Sequence, residues 1–383
     1  MGIIRNYKID TILKYIYLGI SLLCYFKSFF DSIDTIDSII YIIRDYLPII
    51  GLVLIMFTIK INIKKTSSIL YLIMFLIYSF ATCIGRGNVI NEFIILAILA
   101  LLFKNDDPKH ILSFILIFYL VFMSTNMIMS YMGKLPYNTF PRGEIIRHSF
   151  NFRHPNSLGL FSLSLYTLIC YVLKKYKIII TMTGILLFHF VYYYVNSRTS
   201  GLLILLLLVL HIIYWIFAFI NSKIRITNNS ITKCFKIIII SLPIICFIVS
   251  LIMSYAYSPD NSFLVKLDEL LSGRIYLQNN AVTNYGMPLF GTQRLFSTTS
   301  QTYDLLDSYY LLCIYRNGLI FELAILGFIS YMLYKNINRY DLFIMFWVVL
   351  VWCLHAFSEP LCLYFCFNPF LLLLFNKYQE ERS

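Results

Sequence analysis

Charge is what this sequence has least of. Only 13% of its 383 residues are Asp, Glu, Lys or Arg, against about 25% in a soluble domain. Glycine (15) and proline (10) are also few, which excludes collagen-like and low-complexity chains. Cysteine occurs nine times but never as C-x-x-C. That removes a thioredoxin-like redox pair, and two thiols such as Cys362 and Cys366 on one helix face do not make a zinc site. The nine read as small apolar residues. No P-loop, G-x-G-x-x-G, H-E-x-x-H or nucleophile elbow occurs, so the chain offers none of the motifs that mark nucleotide binding, zinc proteolysis or α/β-hydrolase chemistry. A cleavable signal peptide is not expected either, because the first apolar run carries Lys14 and Lys27 and lacks a small-residue cleavage site.

What fills the space is hydrophobic. Apolar residues make up 60% of the chain, above the roughly 45–50% of soluble domains, and the pattern is that of an all-α polytopic membrane protein. A span needs about 20 apolar residues. Spans are expected near 12–30, 39–59, 66–85, 89–103, 110–132, 156–173, 178–195, 201–220, 236–257, 308–334, 340–357 and 361–376. The expected organisation is a single integral membrane domain over 1–383. It comprises 1–132 with five spans, 133–155 as an outer loop, 156–257 with spans six to nine, 258–307 as a large outer loop, and 308–383 with three spans and a cytoplasmic tail.

The short connections alternate in charge. One set carries Arg5 and Lys8; Lys60, Lys64 and Lys65; Lys104 and Lys109; Lys174, Lys175 and Lys177; Lys223, Arg225, Lys233 and Lys236; Lys335 and Arg339; and Lys377. By the positive-inside rule this set is cytoplasmic, which places both termini on the cytoplasmic side. It also accounts for the net charge of +12 without nucleic acid as a partner. The outer set holds arginine instead: Arg86, Arg142, Arg147, Arg153, Arg198, Arg274 and Arg294. Topology alone does not ask for arginine there. A planar, permanently charged fork suits phosphate and carboxylate, so the outer arginines point to an anionic ligand; the plainer reading is that each one snorkels to the headgroups.

Between Arg147 and Gly159 two arginines, two histidines and two asparagines crowd against apolar sequence, and such groups need a partner beside a membrane. His148 and His154 lack a carboxylate neighbour in sequence and read as hydrogen-bonding residues rather than metal ligands. In the long loop, Asn261-Ser262 caps a helix with apolar residues at helical spacing, and Ser272-Gly273 breaks it. Arg274 opens a second short helix through Val282, and Tyr285-Gly286-Met287-Pro288 turns the chain. The loop reads as a lid over a membrane-level site or as a packed cap.

Four segments carry a family resemblance. Arg153-His154-Pro155-Asn156-Ser157-Leu158-Gly159 resembles the G-H-P-N-x-x-G segment of Wzy-type bacterial polysaccharide polymerases, and Asn196-Ser197-Arg198-Thr199-Ser200-Gly201 resembles their S-R-T-G segment. Leu271-Ser272-Gly273-Arg274 with Leu289-Phe290-Gly291 resembles their S-G-R and L-F-G loop, and Asp307-Ser308-x-Tyr310 with Gly318 resembles the start of the next span. The resemblance runs in order from about Arg147 to Asn368. It implies the O-antigen polymerase and ligase superfamily, with a membrane-embedded, GT-C-like glycosyltransferase fold. The implied donor and acceptor are undecaprenyl-pyrophosphate-linked oligosaccharides, with membrane lipids around the protein. A chain-length regulator and a flippase are implied as pathway partners. No metal or other cofactor is implied. In this family the arginines of the S-R-T-G and S-G-R segments hold the pyrophosphate, which falls on Arg198 and Arg274. A ligase begins its motif with a catalytic His; Asp307 stands there in this chain, and Phe321 replaces the second Gly, which favours a polymerase.

Glycosyl transfer from a pyrophosphate needs the leaving charge stabilised and one base for the acceptor hydroxyl. Asp307 is the first candidate base, with Glu359 and His154 behind it; Asp307 also reads as a cap of the following span. Arg147, Arg153, Arg142, Asn156 and Tyr310 join Arg198 and Arg274 as candidate substrate contacts. A ligase-like transferase and a lipid-linked oligosaccharide flippase are the alternatives. The flippase is disfavoured by the large outer loop and by arginines at span ends rather than within spans. In a background with the native cysteines replaced, cysteines at Ser149 and Ser300 should react with an impermeant thiol reagent on intact cells and one at Ser222 should not; the reverse labelling would invert this topology.

Overall fold

The computed structural model describes residues 2–27, 29–30, 40, 43–44, 46–51, 53–55, 89–224, 229–271, 273–292, 306–339, 341–361 and 364–376. The expected span at 66–85, part of that at 39–59, Arg86, Arg294 and Ser300 lie outside the described residues. The architecture is predominantly helical. It comprises α1 (Gly2–Lys27), α2 (Val89–Leu102), α3 (Pro108–Tyr131), the hairpin strands β1 (Asn138–Arg142) and β2 (Ile145–Phe150), α4 (Pro155–Val172) and α5 (Lys177–His189) with a π turn over Phe190–Tyr194. The chain continues through α6 (Arg198–Ile224), α7 (Asn229–Ala256), α8 (Ser262–Leu270), α9 (Arg274–Tyr285), α10 (Tyr309–Asn317), α11 (Leu319–Asn336), α12 (Leu342–His355) and a 3-10 helix at Pro369–Phe375. Among the described residues seven helices are long and apolar enough to cross a membrane, which makes this a membrane-spanning protein.

The chain forms two compact units. The first contains 1–168, 194–196 and 364–383; the second contains 169–193 and 197–363. An aromatic cluster forms the core of the first unit. Phe26 meets Phe161 at 4.4 Å between ring centroids, Phe30 meets Phe152 at 4.2 Å, and Phe161 meets Phe367 at 4.6 Å. Aromatic pairs gain beyond the area they bury, which suits a core between helices that apolar lipid tails do not press together. In the second unit α5 packs along α6, while α7 touches α9, α11 and α12. Gly201 permits the first contact, because a Cβ there would come within 2.9 Å of the Tyr192 side chain.

Two expected spans take a different form. The one at 308–334 breaks at Gly318 into α10 and α11. Gly318 has φ 103°, and a Cβ there would collide with the Leu289 carbonyl oxygen and the Phe290 backbone. The break exposes helix-start N–H groups, and the loop satisfies them: Leu319 donates to Pro288 at 2.9 Å and Ile320 to Leu289 at 3.4 Å. Thr292 donates to the Tyr315 carbonyl at 2.7 Å, and the Tyr315 hydroxyl donates to that of Gly286 at 2.7 Å. The other, 361–376, contains no α-helix among its described residues; its only regular piece is a seven-residue 3-10 helix. At roughly 2 Å per residue that is too short to span. The segment is apolar because it is buried: Phe365, Cys366, Phe367 and Phe370–Leu374 lie inside the first unit. The Cys366 carbonyl accepts from Tyr119 there. Of the described cysteines, all free thiols, only Cys234 is exposed.

Lysines make a few contacts within each unit. Lys14 pairs with Asp106 at 3.1 Å, Lys236 reaches Asn338 at 2.6 Å, and Lys177 lies 5.7 Å from the Trp215 ring centroid near the lysine-bearing end of α6. The segment 133–155 contains the β1–β2 hairpin. Ser149 is fully buried in it, so Glu144 at the exposed turn is the better labelling position.

Gly318→Ala should lower stability by about 2 kcal/mol or more, through a strained φ and a backbone collision. Gly327→Ala, a helical site with nothing within 4 Å of the added methyl, should gain up to about 1 kcal/mol. Thermal unfolding of the purified protein in detergent would rank the two, and equal stabilities would contradict the docked loop.

Candidate active site

The second unit gathers one charged cluster from four separate segments. Its centre is Arg274, first residue of α9, with only 8% of its side chain exposed. The guanidinium has three partners. Its Nη2 donates to Glu359 Oε1 at 3.3 Å and its Nη1 to Thr199 Oγ1 at 3.2 Å. Its Nε lies 3.5 Å from Asp307 Oδ2. A buried arginine charge is costly unless paired, and two carboxylates meet that need.

Local structure puts each group in place. Gly273 precedes α9 with φ 82°. The buried Asp268 of α8 then caps the helix that carries Arg274, accepting from the N–H groups of Ile275 at 2.6 Å and Tyr276 at 3.1 Å. One turn on, Gln278 donates to the Phe357 carbonyl at 3.3 Å and accepts from Ser254 at 2.9 Å and Ser250 at 3.3 Å. The carboxylates converge because their segments are tied: Tyr309 N–H donates to the Ala356 carbonyl at 2.9 Å and Ser308 Oγ to the same oxygen at 3.3 Å. Asp307 therefore lies beside the chain turn that carries Glu359. His355, fully buried, receives the N–H groups of Ser358 at 2.9 Å and Glu359 at 3.0 Å, and its Nε2 lies 3.4 Å from Ser200 Oγ.

The two carboxylates differ in access. Asp307 is 43% exposed and Glu359 is 10% exposed at the side chain. Asp307 precedes the cap of α10, which is Ser308 and makes no side-chain capping bond; its structural partner is the arginine, so the expected cap role is corrected. Arg198 is exposed at the start of α6. It is its neighbour Thr199 that reaches Arg274. Tyr310 is not at the cluster: it is buried and donates to the Cys353 carbonyl at 3.0 Å.

The remaining sequence candidates belong to the first unit. Arg147, only 8% exposed, donates to Asn156 Oδ1 at 2.7 Å. His154 is exposed, and its Nδ1 accepts from the Asn156 N–H at 3.2 Å, capping α4. That makes it a helix cap within the motif. Arg153 is exposed, with its N–H donated to the Phe29 carbonyl at 3.0 Å, and Arg142 ends β1 at the hairpin turn. Among the described residues no group of three His, Cys, Asp or Glu comes together as a metal site, and the two carboxylates of the cluster are already turned on an arginine. Sequence reading missed Thr199, Asp268, Gln278 and His355. The last carried a signal, standing four residues before Glu359 at helical spacing.

Comparison with protein-family models, curated proteins and solved structures finds no match for this chain.

Removing Arg274 strands a nearly buried Glu359, so Arg274→Ala should cost about 3–5 kcal/mol, whereas Asp307→Ala, at a half-open site, should cost no more than about 1 kcal/mol. Arg274→Met combined with Glu359→Met should recover most of the larger loss. Unfolding temperatures of the four proteins would check the ranking; equal losses for the two single variants would show that burial does not govern this cluster.

Proposed function

We propose that this chain is a polymerase of the bacterial cytoplasmic membrane, joining undecaprenyl-pyrophosphate-linked oligosaccharide units into a capsular, exopolysaccharide or O-antigen chain at the outer face. The observation that carries this reading is the bracketing of Arg274 by Asp307, Glu359 and Thr199. All four come from connections that lack the lysine clusters, so the cluster stands on the side opposite the lysines, where a lipid-linked glycan is presented. The ordered resemblance to Wzy-type polymerases supports the same reading from the same residues.

The chemistry follows from what these side chains can do. The pyrophosphate of the donor competes with the carboxylates for the Arg274 fork, and Arg198, exposed at the start of α6, adds a second cation beside a helix N-terminus, where anions are favoured. Asp307 loses its ion pair and becomes the base; its exposure lets an acceptor hydroxyl reach it, while the deeper Glu359 keeps the arginine oriented. The acceptor oxygen bonds to the anomeric carbon as its proton passes to Asp307. The bond from that carbon to the pyrophosphate oxygen breaks, and the electron pair stays on the pyrophosphate, whose charge the arginines stabilise. Nothing in this step calls on a nucleotide sugar. A chain-length regulator and a flippase of the same pathway are the expected partners.

Purified protein given a single-unit lipid-linked substrate should convert it into a ladder of longer lipid-linked products. Asp307→Asn should remove the ladder, with a loss on the order of 10²-fold or more in rate, as expected for a positioned base. Arg274→Lys should do the same, because lysine keeps the charge but not the fork. Gel analysis of the products decides: no ladder from the wild type, with transfer to a different acceptor when one is supplied, would make the protein a ligase instead.

A further inference from the structure

We propose that the hairpin of the first unit carries a second glycan-binding site, an aromatic platform of Tyr137, His148, Phe150 and Tyr194 that holds the growing polysaccharide by its sugar rings. The proposal rests on the reading that this chain handles glycans. The residues are drawn from the segment before β1, from β2 and from the end of the π turn, and they form one connected group. The imidazole of His148 stacks on the Tyr194 ring at 4.4 Å and 15°. The Tyr137 hydroxyl joins both, 2.8 Å from the Tyr194 hydroxyl and 3.1 Å from His148 Nδ1. Phe150 closes the group, 5.2 Å from the Tyr137 ring and 6.0 Å from that of Tyr194.

Three features set this group apart from ordinary packing. The two tyrosine rings are open at the surface, Tyr137 38% and Tyr194 42% exposed, while His148 is half-buried and Phe150, buried, backs them from below. They are nonetheless locked by hydrogen bonds among their own polar tips, so little freedom remains to be lost when a ligand binds. And Phe150 holds φ 52°, a left-handed conformation that costs a side-chain-bearing residue about 1–3 kcal/mol and persists only where its surroundings enforce it. The hairpin turn does not require it, since Gly143 already supplies the positive φ there. The effect of the strain is to set the Phe150 ring beside the two tyrosines.

The ligand class follows from the shape of the chemistry. A pyranose has an apolar C–H face and a rim of hydroxyls. Aromatic faces take the first, while phenol oxygens and an imidazole nitrogen take the second. Burial and the Tyr194 hydroxyl push the Tyr137 phenol up to about 12, so it stays neutral and both donates and accepts. Tyrosines of an interfacial belt send their polar ends singly toward headgroups and water; here those ends bond to one another. A holding site apart from the transfer cluster would keep the product from leaving between additions, which is what a long chain requires.

The test uses the full-length protein in nanodiscs and, as probe, oligosaccharide released by mild acid from the host's own polysaccharide. Wild type should bind it, Tyr194→Ala about tenfold more weakly for the loss of one stacked ring, and Tyr194→Phe in between. In the ladder assay, Tyr194→Ala and His148→Ala should lower the ratio of long to short products. Unchanged binding in Tyr194→Ala and His148→Ala, or no binding by the wild type, would overturn the platform. If the wild type makes no ladder but binds the probe in a Tyr194-dependent way, the platform stands and the polymerase reading falls. If ladders form with identical lengths in all variants, the growing chain is not held here, and the platform is refuted while the polymerase reading survives.

Discussion

A guanidinium that is almost fully buried cannot stand alone, and the architecture of the second unit answers to that constraint. Arg274 needs acceptors on several sides, and they come from Asp307, Glu359 and Thr199. Each acceptor in turn has to be held. Asp268 and Gln278 fix the helix bearing the arginine, and the Ala356 carbonyl ties the Asp307 segment to the turn that carries Glu359. An ion pair in a low-dielectric setting is strong only if its geometry is kept, so the surrounding hydrogen bonds are part of the site. The same arrangement holds the guanidinium fork in one orientation.

The loop after α9 shows how backbone chemistry can serve in place of side chains. A helix that restarts at Gly318 exposes donors that must be satisfied, and Pro288 and Leu289 supply carbonyls. The approach is so close that any side chain at 318 would be struck by the loop. The Gly residues of this region thus have two separate reasons, close approach at Gly318 and a left-handed turn at Gly273, rather than a shared flexibility. Pinning the loop holds Leu289 and Phe290 outward, 54% and 78% exposed, which a bilayer tolerates and water does not favour.

Two polar groups occupy the two units, and they differ in kind. The cluster around Arg274 is buried, charged and internally paired. The hairpin of the first unit is open, aromatic and largely neutral, beside an Arg147–Asn156 pair that anchors the start of α4. A charged centre suits a pyrophosphate; an aromatic surface suits sugar rings.

Composition alone determined the class of this protein, because a chain with so little charge has no solvent but lipid. Apolar runs with capped, helical spacing located most helices, and Asn261 and Arg274 open α8 and α9 where the pattern placed them, since caps are local and readable in a few residues. Hydropathy could not tell a lipid-facing run from a buried one, so 361–376 read as a span although its side chains are spent on the interior of the first unit. It could not see the break at Gly318, which depends on a loop some thirty residues earlier in the chain. Residue type and resemblance pointed to Arg274, Asp307 and Glu359 singly. That they meet, that Thr199 rather than Arg198 completes the fork, and that Tyr310 and His154 serve packing and capping were decided by tertiary structure alone. Those facts rest on distances between residues as far apart as 199 and 359, and no local pattern encodes such distances.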